Sequence, residues 1–417
     1  MGAQLYAMMG LSPRATRLKL PVPPHAALAT LPSYHPIERP DGLIHLSIAE
    51  NRLSLPLVAH ALEQLPSPPQ SVFSPDPSLP HPIPELAAQL SKLFSTHVSR
   101  FPTEPEGFSI YSGATTVLDV LAFALCEADD GVIATGPGYS GITRDVYAMA
   151  SVHPIIAHCN DEDPVISIEA LEAALASTTR RVPLVIVLSP DNPTGRLLSP
   201  QKISQLVEWA ARKEVHIAFD EAYALSVHDP NATFSSVIDV LEGKLPPHVH
   251  IVWTMSKDFC LSGLRVGVLY TENEQLRKCG AVLSSASPVS LVTQWSVAQV
   301  LSQDKWLRSY LKENPLRLRR AYGQVATFLN GLNIPFCEAQ AGFFVWIDMR
   351  KWIPAPTLEG ELQLWKDLNA AGVVLTPGSQ CYGEMFGFFR MCFAAVDEET
   401  LNLAFTRMAR VLKTGAC

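Results

Sequence analysis

The sequence predicts an α/β protein of two lobes, a large one built on a mostly parallel sheet and a smaller α+β one. The first observation is alternation. Short apolar runs at 131–135, 183–188, 215–219 and 250–253 are separated by helical periodicity over 116–128, 167–177 and 199–213. Strands apolar on both faces and divided by helices indicate a parallel sheet covered on each side. The second is a change of pattern after about residue 300, where a long helical stretch including 306–328 leads to a candidate strand at 342–347 and a final helix near 398–413. The third is length, since 417 residues exceed what one small core organises.

In chain order, residues 1–45 carry Pro21, Pro23, Pro24, Pro32, Pro36 and Pro40 without sustained periodicity, and are expected to form an arm that belongs with the small lobe. Residues 46–300 are expected to form the large lobe and 301–417 the small one. No internal repeat or low-complexity block interrupts them.

Composition narrows the function classes. A net charge of −8 without acidic or basic runs offers nothing to nucleic acid or anionic lipid, so a small-molecule substrate is expected. The eight cysteines (Cys126, Cys159, Cys260, Cys279, Cys337, Cys381, Cys392, Cys417) form no CxxC pair and no metal-ligand spacing, and are read as reduced core thiols. Pro13, Arg14, Arg17 and Lys19 break the N-terminus before a signal-peptide core or membrane span could form, which leaves the cytosol as the expected compartment.

The strongest local signal is Ser189-Pro-Asp-Asn-Pro-Thr-Gly195, directly after the run 183–188. Alone, it is a turn closing a buried strand. The run 215–219 likewise ends in Asp220-Glu-Ala-Tyr223, and a carboxylate at the C-terminal tip of a parallel strand lies where open α/β sheets bind ligands. The run 250–253 ends in Thr254-Met-Ser-Lys-Asp-Phe259, followed by Gly263-Leu-Arg265-Val-Gly267. A lone lysine is usually a solvated charge, but Lys257 stands between a buried strand and a glycine-punctuated turn. Tyr111-Ser-Gly-Ala-Thr-Thr116 opens a helix with small residues, a candidate phosphate cradle.

Together with Asp41-Gly-Leu-Ile-His-Leu-Ser-Ile-Ala-Glu-Asn51, Pro137-Gly-Tyr-Ser-Gly141 and Phe389-Arg-Met-Cys-Phe-Ala394, these segments resemble the class I/II aminotransferases of pyridoxal-5'-phosphate (PLP) fold type I. Within them they are most similar to the 1-aminocyclopropane-1-carboxylate (ACC) synthase-like branch. The resemblance implies a seven-stranded, mostly parallel sheet, PLP as cofactor, an amino-acid substrate and a homodimer. Carried onto this chain, it implies that Lys257 condenses with the cofactor aldehyde and later moves the α-proton, and that Asp220 keeps the pyridine nitrogen protonated. Asn192 and Tyr223 match the donors to the ring phenolate oxygen, and Tyr139 the aromatic residue stacked on the ring. Gly113, Ala114, Thr115, Thr254, Ser256 and Arg265 match the phosphate site, and Arg390 the arginine that takes the substrate carboxylate.

These residues lead to a carbanion at the substrate Cα and leave its fate open. Glu50, in Ala49-Glu-Asn51, resembles the substrate-facing glutamate of ACC synthases and favours a lyase that breaks a Cβ or Cγ bond to sulfur or another heteroatom. Aminotransferases of the family share the same motifs, so transfer of the amino group to a 2-oxo acid stays open, as does decarboxylative or cyclising chemistry. Two departures bear on the choice. Arg52 stands where the branch has glutamine, and Pro80 where it has a tyrosine that reaches the neighbouring subunit's cofactor phosphate. The second puts ACC synthesis in doubt.

Overall fold

The computed structural model describes residue 28 and residues 31–74, 82–159 and 164–414. Pro80, Cys417 and most of the N-terminal arm lie outside the described residues. After a short strand β1 (Ile44–His45), the chain supplies β2 (Phe108–Ser112), β3 (Gly131–Gly136), β4 (His153–His158), β5 (Leu184–Leu188), β6 (His216–Asp220), β7 (Val249–Thr254) and β8 (Val266–Tyr270). Strands β2 to β8 form one seven-stranded sheet in the order β2-β8-β7-β6-β5-β3-β4. All pairings are parallel except those of β8, which runs against both β7 and β2.

The central strands form because β-branched side chains pack well on a pleated surface covered on both faces: Leu184-Val-Ile-Val-Leu188 is buried throughout. The flanking helices start where the sequence supplies caps. Ser167 accepts from Ala170 N and begins Ile168–Ala176, and Ser199 accepts from Lys202 N and begins Pro200–Lys213, with proline in the first turn. The helical stretch expected over 116–128 is the helix Ala114–Leu125: it starts on Gly113 and stops because Cys126 is extended. Strand β8 was hidden in the sequence by glycines. Gly267 sits in it because a Cβ there would lie 2.2 Å from the Gly113 carbonyl carbon, so only glycine lets β8 approach that turn.

The second core surrounds β9 (Phe336–Cys337), β10 (Phe344–Asp348), β12 (Thr376–Pro377) and β13 (Phe388–Cys392), a four-stranded sheet in the order β12-β13-β10-β9. The intervening β11 (Val373–Val374) pairs in parallel with β1, so Ile44 and Leu46 are buried with Phe344, Phe389 and Met391. The helix Asp304–Gly331 joins the two cores. Its Leu307 and Tyr310 pack with the large sheet, and its Leu318, Val325 and Leu329 with the small one. Pro315 lies inside that helix, at the changeover.

His228 lies where the two cores meet, between the rings of Tyr322 (4.9 Å) and Phe393 (5.7 Å), with its backbone N–H on Gln340 O. Burial drives its pKa down from 6.5 to about 4. A depressed histidine pKa means the folded state resists a proton that the unfolded chain accepts. Its stabilising share is therefore full above pH 6.5 and is lost as pH falls toward about 4. Wild type should lose about 1.4 kcal/mol per pH unit relative to His228→Asn between roughly pH 6 and 5. Urea midpoints at pH 7.5 and 5 measure this, and parallel pH profiles for the two proteins would contradict it.

Among the described residues no helix is long and apolar enough to cross a membrane. The seven described cysteines are free thiols.

Candidate active site

Chain direction explains why the site gathers at one edge of the large sheet. Strands β5, β6 and β7 lie side by side and parallel, so their C-terminal ends deliver Asn192, Asp220 and, one turn beyond Thr254, Lys257 to a common edge. The end of β2 brings Gly113, and the end of β3 brings Tyr139. Because β8 runs the opposite way, its beginning reaches that edge, and Arg265 is the residue immediately before it. These side chains wall one cavity of about 150 Å³. All the cofactor residues expected from the sequence line it except Gly113, and Glu50 lines it too.

Lys257 Nζ lies deep in this cavity and donates to Ala49 O at 2.6 Å. Burial holds its pKa below the usual lysine value, helped by Arg390 and opposed by Glu50, Cys392 and Asp220. Asp220 is buried, with Ala222 N as its hydrogen-bond donor at 3.2 Å. Burial pushes its pKa up to about 7, with Ala222 N–H and Lys257 pulling the other way. A buried carboxyl at the end of a strand, facing an open cavity, is stabilised as a carboxylate by any cation placed there. Tyr223 is buried edge-on against Phe343 and Phe344, and burial raises its phenol pKa.

The anion end of the cavity is shaped by backbone. Gly113 has φ +85° and caps the helix Ala114–Leu125, and a Cβ on it would sit 2.2 Å from Arg265 Nη2. Arg265, itself left-handed at φ +55°, donates Nη1 to Ser262 O (2.8 Å) and Nη2 to Ser112 O (3.3 Å), which fixes its fork beside the helix N-terminus. Thr254 Oγ1 donates to Val266 O at 2.9 Å, tying β7 to β8 below Ser256. A helix N-terminus and an aligned guanidinium suit a phosphate. Gly113→Ala should therefore weaken phosphate-bearing ligands as well as strain the backbone, which costs of order 1–3 kcal/mol at such a φ. Titration of the apoprotein with PLP tests it, and unchanged affinity would exclude a cradle at Gly113.

Arg390, on β13, does not line the cavity but lies behind Asn192. Its Nη1 donates to Asn192 Oδ1 (3.0 Å) and its Nη2 to Ser47 O (2.7 Å) and Thr376 Oγ1 (3.2 Å). Its Nε is buried without a hydrogen-bond partner. Arg52 is exposed and does not line the cofactor cavity; it lines an adjoining pocket of about 530 Å³, and Glu50 lines both.

Several residues of the site escaped the sequence reading. Asp145 accepts from Tyr139 and Thr115, and Thr376 donates to Ser47 O at 3.1 Å while accepting from Arg390. Cys392 Sγ lies 3.5 Å from Glu50 O. Asp191, just before the Asn-Pro-Thr-Gly turn, accepts from Thr194 N and Oγ1 and holds that turn's shape. Each works through partners distant in sequence or through a local turn.

A seven-stranded, mostly parallel sheet that brings a lysine and a buried strand-end carboxylate into one cavity is the arrangement of PLP enzymes of fold type I. The chain belongs to the aminotransferase class I and II family, whose profile matches residues 43–408. It is 32% identical over 400 residues to a cattle (Bos taurus) protein named 1-aminocyclopropane-1-carboxylate synthase-like protein 1, covering 91% of this chain and 78% of that one. It is 32% identical over 403 residues to rice (Oryza sativa subsp. japonica) 1-aminocyclopropane-1-carboxylate synthase 6, covering 91% and 74%. Among solved structures, Thermus thermophilus aspartate aminotransferase with maleate superposes with TM-score 0.81 at 24% identity, over 97% of this chain and all of that one, which confirms the fold. Family membership implies PLP as the cofactor, and the expected family and fold are both borne out.

Proposed function

We propose that this enzyme breaks a Cβ or Cγ bond to sulfur or another heteroatom in an amino-acid-derived substrate, by way of proton removal at Cα. When bound, PLP supplies an aldehyde that condenses with amines and a ring that draws electrons from Cα. Lys257 Nζ is the nucleophile toward that aldehyde, and burial shifts it toward the neutral form that both attack and proton transfer require. Asp220 holds a proton on the ring nitrogen, and Asn192 and Tyr223 donate to the ring oxygen. Tyr139 covers one ring face, while Gly113, Ala114, Thr115, Thr254, Ser256 and Arg265 hold the phosphate. Arg390 takes the substrate carboxylate and turns Cα toward Lys257.

Glu50 carries the choice of reaction: it lines the same cavity as Lys257 and acts on that amine electrostatically. A carboxyl group there can handle the proton that a departing heteroatom needs. Arg52 favours a second reading, aminotransferase, because a guanidinium in the adjoining pocket suits the distal carboxylate of a dicarboxylic amino donor. The two readings separate in one assay. Amino acids incubated without a 2-oxo acid should yield ammonia and a 2-oxo acid product, and strict dependence on an added acceptor would establish transamination instead. With Pro80 in place of the branch's tyrosine, S-adenosylmethionine is expected to give little ACC, and efficient conversion would overturn that expectation.

We read residues 46–300 as the cofactor-holding body and 301–417, with the N-terminal arm, as the part that closes over the substrate. A homodimer is the expected assembly, in the cytosol. Its support is the exposure of Phe123 and Val282 on two helices, Ala114–Leu125 and Glu274–Ser284, that meet at Gly280. Light scattering of the purified protein decides the assembly.

A further inference from the structure

The cofactor cavity contains a buried carboxylate to which the family motifs assign no role here. Asp145 lies on the short helix Ile142–Tyr147, its side chain fully buried. Its Oδ2 accepts from Tyr139 Oη at 3.0 Å and from Thr115 Oγ1 at 3.1 Å. Its Oδ1 faces Arg144, with Nε and Nη2 both at 3.1 Å. One carboxylate oxygen thus joins the ring-face tyrosine to the first turn of the phosphate-cradle helix, and no direct hydrogen bond links those two residues.

Proton counting sharpens the arrangement. A threonine hydroxyl has one proton to give. At Thr115 it is directed to Asp145, so it is not available to a phosphate oxygen, which also can only accept. Thr115 then serves an anion through its backbone N–H at the helix N-terminus, while its side chain anchors Asp145. The Tyr139 proton is committed in the same way, which fixes the ring's rotation and keeps the phenol neutral. Burial raises the Asp145 pKa, and its partners Arg144, Tyr139 and Thr115 counter this by favouring the ionised form.

On the cofactor reading given above, we propose that Asp145 is a positioning residue that locks Tyr139 and the phosphate cradle together as one unit. In this role Asp145 acts through Tyr139 and Thr115, not on the reacting atoms. It sets the distance between the plane that covers the ring and the helix end that holds the phosphate.

The test is PLP binding to the apoprotein, with the circular dichroism of the bound cofactor's absorption band as a report of ring orientation. Asp145→Asn should weaken PLP at least about tenfold, the size of one lost charge-assisted hydrogen bond, and should diminish the dichroism. In a Tyr139→Phe or Thr115→Val background the same change should cost much less, because its partner is already gone. A merely structural role would lower thermal stability, leave the dichroism intact and add to both partner substitutions, and that pattern would overturn the proposal. Should Asp145→Asn fail to fold, the cycle between Tyr139→Phe and Thr115→Val decides, since coupling between them passes through Asp145 and simple additivity refutes it. A wild-type protein that takes up no PLP would instead defeat the cofactor reading itself.

Discussion

Lys257→Ala is expected to lower turnover by at least about four orders of magnitude, combining loss of the nucleophile with loss of the group that moves the Cα proton. It is also expected to leave the unfolding temperature unchanged or raised. In the folded protein the amine is largely withdrawn from water with Ala49 O as its hydrogen-bond acceptor, and desolvation of the ammonium outweighs the help of Glu50 and Asp220 and costs stability. Losing activity without losing stability is the signature of a group retained for chemistry. Lys257→Arg keeps a cation but offers no nucleophilic amine, so it should be as inactive as alanine. Steady-state assays beside thermal melts read both halves, and an alanine variant within tenfold of wild type would remove Lys257 from the reaction.

How much of this was legible in the sequence depended on how local each signal is. Asn192, Asp220 and Lys257 were found because each follows its own apolar run, and a parallel sheet carries adjacent strand ends to one edge without any knowledge of tertiary contacts. Helix starts were equally local: Ser167 and Ser199 cap the helices that follow them. The antiparallel direction of β8 was not legible, because Gly263 and Gly267 read as turn residues, whereas Gly267 is a close-approach position inside a strand. Asp145 and Thr376 were invisible for a different reason. Asp145 matters through Thr115, thirty positions earlier, and Thr376 through Ser47 and Arg390, so neither has meaning until the chain is folded. Arg52 shows the converse: its departure from the branch was plain in the sequence, but that it lines the adjoining pocket and not the cofactor cavity was not.

For Arg390, the expected result is a selective loss. Arg390→Ala should lower kcat/KM for α-amino acids by roughly 30- to several-thousand-fold, the range for truncating one side of a buried charged hydrogen-bond pair. Amines of the same shape without the carboxylate should be affected far less. The selectivity follows from how the guanidinium is held. Asn192 Oδ1, Ser47 O and Thr376 Oγ1 fix the plane of its fork, and the Phe344 ring lies 5.9 Å from its central carbon. The Nε N–H has no partner among the described residues and is left for a carboxylate in a fixed direction, and Arg390→Lys cannot reproduce that anchored planar set of donors with a compact ammonium. Lysine should therefore recover only part of the loss, and mainly in KM. Because Arg390 also depresses the Lys257 pKa, its removal should raise that pKa and move the alkaline-dependent limb of the activity profile to higher pH. Equal losses for amino acids and carboxylate-free amines, with no displacement of the pH profile, would place the carboxylate site away from Arg390.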